Sequence, residues 1–306
     1  MNNKVLLIIL VALAAVLGLS KIFSDKADRT FDPEIIKVDK DAVNKIVVKG
    51  KTDEQEAVLT KTEEGWNLSI DGKTYPADVA AVEGLLTNMA SVKTDYIAAK
   101  SPDKWTEYEL GNDQATHVTV YAGDKILADF YVGKFSVDQQ ARQVTSFFRL
   151  EGKDDVYAVS GMAGFSLSQG GNAYRNKKLL DLDIAKIESL TYTGDKQYEV
   201  AQSDGLWVLD GDMALDSAKV KNFLMNLRSL SGDAFVDFDE NLNSDKLLKK
   251  LTINGSNMEK PVVVRCWKDD SLDKPFVIQS DQFPQSFFAS DSTRLFTRLF
   301  KPVEEW

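Results

Sequence analysis

"YPADVAAVEGLLTNMASV" (75–92) and "ALDSAKVKNFLMNLRSL" (214–230) are the two stretches whose reading decides the fold. In the first, Val79, Val82, Leu85, Leu86, Met89 and Val92 recur at helical spacing and form one apolar stripe. The second repeats that stripe 138 positions later. Val82 matches Val220, Leu85 matches Phe223, Leu86 matches Leu224, Met89 matches Leu227 and Val92 matches Leu230, with Asn88 matching Asn226. Trp66 and Trp207 precede the two helices on strand-like segments. Two copies at so long a period predict a duplicated α+β domain and not a solenoid. An amphipathic helix with one apolar face can cover one side of an antiparallel sheet, which is why it returns together with its strands.

The flanking segments alternate apolar and polar residues as half-buried strands do. In the first half these are 43–50, 56–70, 116–123, 125–134, 145–152 and 155–161, with turns at Asp71-Gly72 and Gly123-Asp124. Pro76 is expected at or near the first helical position. The order restarts with 187–194, 198–211, the helix around Val220, 250–256, 260–268 and 274–281. Gly170-Gly171, inside "SLSQGGNAYRNKK", breaks the pattern and marks the boundary. The expected organisation is a transmembrane anchor over 1–23, a charged stalk over 24–40, a first α+β repeat over 41–165, a linker over 166–185 and a second repeat over 186–306.

The anchor rests on "MNNKVLLIILVALAAVLGLSKIF". The apolar run Val5–Leu19, as a helix, spans only ~22 Å of a hydrocarbon core of ~30 Å. Snorkelling of Lys21 extends it through Ile22 and Phe23. A cleaved signal peptide is the rival, since Gly18 and Ser20 offer small residues for a cut. Lys21, Lys26 and Arg29 follow the span, a charge order that opposes an exported body, but long domains translocate largely regardless of it. The preferred orientation is N-terminus inside, body outside, in the inner membrane.

Composition excludes several classes of function. The 306 residues are 43% hydrophobic and 10% aromatic, enough for ordinary cores. The net charge of −10 argues against nucleic acid, which asks for a basic footprint. One histidine (His117) and one cysteine (Cys266) leave no disulfide within the chain and no zinc site of the usual Cys/His kinds.

The candidate sites are weak. Asp237, Asp239, Asn241, Asn243 and Asp245 alternate oxygen donors, but the glycine and glutamate that an EF-hand loop requires are replaced by Leu242 and Leu248. A polar connection is the plainer reading, and no metal is expected. His117 alternates with Val118 and Val120 on the less buried side of a strand, and no serine lies in a nucleophile elbow. Glu63-Glu64, Asp154-Asp155 and Asp269-Asp270 fall in turns, where paired carboxylates are solvated and not tuned for acid–base work. Trp66, Trp207 and Trp267 read as core before they read as sugar platforms. "YRNKK" (174–178) is one compact basic patch in an acidic chain and reads as an exposed linker. No catalytic residue and no cofactor are expected.

The segments "GWNLSIDGKTYPADVAAVEGLLTNM", "YELGNDQATHVTVYAGDKILADFYVGK", "RLEGKDDVYAVSG" and "YRNKKLLDLDIAKIESLTY" follow an N-terminal span and precede a weaker second round. In this order they resemble the bacterial domain-of-unknown-function family 4340, over most of residues 30–300. Its members are commonly encoded beside an ABC-transporter ATPase, a permease and a gliding-motility-type auxiliary subunit. The resemblance implies an accessory role at an exporter, with the permease and the auxiliary subunit as partners. With the N-terminal span and the lack of catalytic motifs, the expected protein is a non-enzymatic accessory or scaffold subunit of an ABC-type transporter at the inner membrane. The alternative is a module for envelope polysaccharide or lipid. A hydrolase ranks third.

Overall fold

The computed structural model describes residues 33–51, 56–140, 142–168, 170–236, 242, 246–256 and 258–306. The chain divides into two compact units between Arg175 and Asn176.

The first unit opens with β1 (Glu34–Lys37), followed by β2 (Lys45–Lys49), β3 (Glu56–Thr62), β4 (Gly65–Ile70) and β5 (Lys73–Pro76). Helix α1 (Val79–Ala90) leads into β6 (Ser91–Lys93) and β7 (Tyr96–Ala99), then a 3₁₀ segment (Pro102–Tyr108). Four strands complete the sheet: β8 (Thr116–Ala122), β9 (Lys125–Asp138), β10 (Gln143–Leu150) and β11 (Val156–Ser160). The short helix α2 (Ala163–Leu167) follows. Nine strands form one sheet in the order β5-β4-β3-β2-β8-β9-β10-β11-β7, while β1 and β6 pair separately. Every pairing is antiparallel.

The second unit repeats this plan strand for strand, with its long and its short helix at the corresponding places. Its strands are β12 (Lys178–Asp181), β13 (Ile187–Thr193), β14 (Tyr198–Ser203), β15 (Leu206–Leu209) and β16 (Met213–Ala214), then, after α3 (Ser217–Leu227), β17 (Ser229–Ser231) and β18 (Phe235–Val236). The last four are β19 (Leu247–Gly255), β20 (Val262–Lys268), β21 (Phe276–Ser280) and β22 (Phe287–Ser290), with α4 (Leu295–Phe300) after them. The sheet order is β16-β15-β14-β13-β19-β20-β21-β22-β18, and β12 pairs with β17. Substituting each first-unit strand by its counterpart converts one order into the other.

The same local devices build both copies. Asp71 and Gly72 turn β4 into β5 with φ of 55° and 72°, and Asp210 and Gly211 turn β15 into β16 with 51° and 89°. Two successive left-handed residues make the twist of the turn match that of its strands, which Asp-Gly tolerates. The carbonyl of Trp66 accepts from Ala77 N at 2.8 Å, and that of Trp207 from Leu215 N at 2.8 Å. Asp78 then caps α1, its carboxylate accepting from Ala81 N at 3.1 Å. Asp216 caps α3 through Ala218 N at 2.8 Å. Such caps satisfy amides that the helix itself leaves unpaired.

The helix stripes meet the sheets. Val82, Leu85, Leu86 and Met89 pack on Ile46, Leu59, Leu68, Val118, Phe130 and Phe148 in one core. Val220, Phe223, Leu224 and Leu227 pack on Leu190, Val200, Leu251, Val264, Ile278 and Phe288 in a second, separate core.

Four expectations need correction. Within the expected stalk, residues 34–40 are part of the first unit: β1 pairs with β6, and Ile36 and Val38 are core. The stretch 166–185 was expected as a linker, yet its described residues pack on one unit or the other. Leu167 and Tyr174 join the first core, and Leu179, Leu180 and Leu182 join the second. Pro76 ends β5 three residues before α1 begins. The cover on each sheet is also more than one helix, because the short β1–β6 or β12–β17 ladder and a terminal short helix share it. The anchor expected over 1–23 lies outside the described residues. Among those described, no helix is long and apolar enough to cross a membrane.

Because Leu86 and Leu224 are both buried in separate cores, Leu→Ala at either is expected to cost on the order of 2–5 kcal/mol. The two losses should be independent. Thermal unfolding of the single and double variants checks this, and unchanged melting in both would contradict the packing.

Candidate functional site

The groups with chemical potential in the first unit lie on the sheet face opposite α1. Alternation along β8, β9 and β10 puts Val118, Phe130 and Phe148 into the helix-side core and turns His117, Tyr131 and Arg149 to the other side. Register then aligns them in one row, since His117 is opposite Tyr131 and Tyr131 opposite Arg149. The row is a stack. The His117 and Tyr131 rings lie 4.2 Å apart and nearly parallel. The Arg149 guanidinium carbon sits 3.7 Å from the Tyr131 ring centre and 4.0 Å from that of Trp105, which the 3₁₀ segment brings over it. Planar cations favour such faces.

Two carboxylates balance the stack. Asp129 Oδ1 is 2.6 Å from His117 Nε2 and accepts from Thr119 Oγ1 at 3.3 Å. Glu151 Oε2 is 3.9 Å from Arg149 Nη1, and Asn112 Oδ1 accepts from Nη2 at 3.0 Å. Burial pushes the Tyr131 hydroxyl above its ordinary pKa, and Glu151 adds to the shift. Chemically, the arrangement fixes a guanidinium whose side chain is only 4% exposed. Thr119 donates to the same carboxylate that holds His117, so the imidazole does not stand as a base to that hydroxyl.

The other candidates read from the sequence are scattered. Trp66 and Trp207 are core residues, and Trp267 packs with Val277 and Phe287 on the far face of the second sheet. Glu63, Glu64, Asp154, Asp269 and Asp270 are exposed or half-exposed at strand ends. Cys266 is buried, its thiol pushed up to about 12, which leaves it unreactive. "YRNKK" is not an exposed patch: Tyr174 and Arg175 are each 3% exposed, and the Arg175 guanidinium lies 3.6 Å from the Tyr75 ring centre. The oxygen-rich run 237–245 lies outside the described residues apart from Leu242. Among the described residues, no group of three or more His, Cys, Asp and Glu is placed to hold a metal. Trp105, Asn112, Tyr131 and Arg149 went unnoticed in the sequence, because only strand register brings them together.

Among the described residues, two of the clefts open to solvent are well formed. One, of about 290 Å³, lies in the second unit among Tyr192, Tyr198, Lys249, Phe300, Pro302 and Glu304. The other, of about 420 Å³, lies in the first unit, with Ile35, Ile126, Leu127 and Leu150 on its walls beside Lys37 and Lys153. A different exposed feature is the far part of the β9–β10 hairpin. Phe135 and Val137 are 48% and 55% exposed at alternate positions of β9, and Met162 is 52% exposed. Phe135 leans edge-on to Phe165 with 5.5 Å between ring centres.

Fold and site thus define a duplicated antiparallel α+β protein. A family model described as a domain of unknown function, DUF4340, matches residues 70–250, from the end of β4 into β19. That is more than half of the chain, and the chain belongs to this family. Neither a curated protein nor a solved structure matches it.

The buried tyrosines set an alkaline limit. Burial raises Tyr174 from 10.0 to about 12. Its folded-state pKa is the higher one, so its contribution to stability is full below about pH 10 and is lost as pH rises through 12. The melting temperature should fall across that window, and Tyr174→Phe should flatten the fall. Thermal unfolding followed against pH, with phenolate absorbance as a second signal, checks both.

Proposed function

We propose that this protein is a non-enzymatic, membrane-anchored accessory or scaffold subunit of an ABC-type transporter complex, its body on the periplasmic side of the inner membrane. The observation that carries this reading is the apolar surface of the β9–β10 hairpin. Phe135, Val137 and Met162 fall on the hairpin and the turn before α2, whereas the unit's other large apolar side chains exposed to the same degree, Val79, Tyr96 and Ile126, sit singly on α1, β7 and the start of β9. Exposed apolar patches on otherwise polar proteins mark sites of association. The apolar run Val5–Phe23 supports the anchor. The His117–Tyr131–Arg149 row, cross-linked by its own carboxylates and covered by Trp105, reads as structural and is consistent with a non-catalytic role.

The test is co-purification from membranes in mild detergent with the N-terminus intact, followed by mass spectrometry. The expected companions are an ABC permease and its auxiliary subunit. A double change, Phe135→Ser with Val137→Ser, should lose them while lowering the melting temperature by only a few °C, since half-exposed side chains contribute far less than core ones. Retention of both partners by that variant would remove the hairpin from the interface. N-terminal sequencing of membrane-fraction protein is expected to start at or near Met1, and a start at Lys21 would replace the anchor by a cleaved signal.

A second reading is a binding module for envelope lipid or polysaccharide. The first-unit cleft favours it, with apolar walls and, on the same lining, the lysines Lys37 and Lys153 beside the carboxylates Asp129 and Glu151. Concave apolar sites with a few polar groups suit small ligands. Leu127→Asp should abolish lipid co-purification under this reading and leave permease capture untouched.

A further inference from the structure

We propose that the second sheet carries, on the face away from α3, an anion site in which Arg265 and Lys250 together hold a phosphate-type dianion. Register sets the geometry. Lys250 is directly opposite Arg265, with Thr193 on its other side and Gln279 beyond Arg265, so the four form one row across β13, β19, β20 and β21. The neighbours Leu251, Val264 and Ile278 point into the helix-side core, which turns this row to the opposite face.

The row is the counterpart of the first unit's stack. Glu151 N donates to Asp129 O at 3.0 Å, and Asp281 N donates to Val263 O at 3.0 Å, which aligns Asp129 with Val263 and Glu151 with Asp281. By the same register Lys250 stands for His117, Arg265 for Tyr131 and Gln279 for Arg149. The first unit thus flanks a row holding one buried guanidinium with two carboxylates, Asp129 on His117 and Glu151 on Arg149. The second has two cations and has replaced one of those carboxylates by valine. The other, Asp281, accepts from Val263 N at 2.8 Å.

Like charges directly opposite on a ladder repel. Lys250 and Arg265 are both half-buried, and among the described residues neither side chain has an ion pair or hydrogen bond. A chain with net charge −10 does not lack carboxylates to place there. Two adjacent positive charges are balanced by a dianion, whereas a carboxylate would leave one charge over. The guanidinium offers a planar fork that matches phosphate oxygens, and the ammonium supplies a point charge beside it. The hydroxyls of Thr193 and Thr252, on the same face, are further donors.

The experiment is calorimetric titration of the full-length protein, in neutral detergent at low salt, with inorganic pyrophosphate. Saturable one-site binding is expected. Arg265→Gln and Lys250→Gln should each weaken it by about tenfold or more, as loss of a charge-assisted contact does. Lys268→Gln, a control for general charge, should not. Neither site variant should melt below wild type, since each relieves the repulsion. Doping the micelles with phosphatidic acid, whose phosphomonoester can carry the second charge, distinguishes the source. Suppression of the pyrophosphate signal by that lipid, and not by phosphatidylcholine, identifies a lipid phosphate, and no suppression identifies a soluble one. Wild-type protein that ignores pyrophosphate overturns the site. So does equal weakening in Lys268→Gln, or binding gained only when the acidic residues of 237–245 become asparagine, which would give the cations to the chain's own carboxylates.

Discussion

Burial of one four-residue stripe against one face of an antiparallel sheet is the constraint on which both units depend. Val82, Leu85, Leu86 and Met89 in α1, like their counterparts in α3, are each worth about 1.5–3 kcal/mol when removed from water. Their sum is comparable to the whole net stability of an ordinary domain. The helix must therefore lie flat on the sheet, and the devices at its start serve that end. The tryptophan carbonyl receives the incoming chain, and the aspartate caps the first turn. At its end, α1 runs directly into β6 and α3 into β17, and these short ladders close the core beside the helix.

The nine-strand order is a consequence of that crossing. Strands β2 to β5 run outward as a meander, and the helix carries the chain back over the sheet. The strand β7 takes the far edge, and β8 to β11 fill the space between β2 and β7. Once the helix-side face is committed to hydrophobic packing, the two copies keep it. The corresponding positions stay apolar even where Leu85 becomes Phe223 or Met89 becomes Leu227.

The opposite face is under no such constraint, and there the copies differ in kind. The first unit covers a half-hidden row of imidazole, phenol and guanidinium with Trp105 and balances it with Asp129 and Glu151. The second puts lysine, arginine and glutamine at the same register and packs Trp267, Val277 and Phe287 beside them. A duplicated fold thus keeps its stabilising face and varies the one that meets its surroundings. The exposed hairpin residues Phe135 and Val137 are a separate difference: a bulge in β9 turns Phe135 toward α2 on the helix-bearing side, and the second unit's β20 ends earlier than β9 does.

The sequence by itself determined the duplication, the α+β class and the core side of both helices, because a 3.6-residue stripe and its copy 138 positions later are local signals. It also located most of the long strands, through alternation, and the Asp71-Gly72 turn. It missed β22, the edge strands β5, β7, β16 and β18 and the ladder strands β1, β6, β12 and β17. These run two to four residues, too short for a period to show. It misread Tyr174 and Arg175 as exposed, because charge and neighbouring glycines signal a loop, while the Tyr75 ring that shelters the guanidinium is remote in sequence. What only the tertiary structure decided was the row of His117, Tyr131 and Arg149, and its Lys250, Arg265 and Gln279 counterpart. Each residue is an ordinary outward position on its own strand. Cross-strand register, which a single sequence does not encode locally, is what sets them side by side.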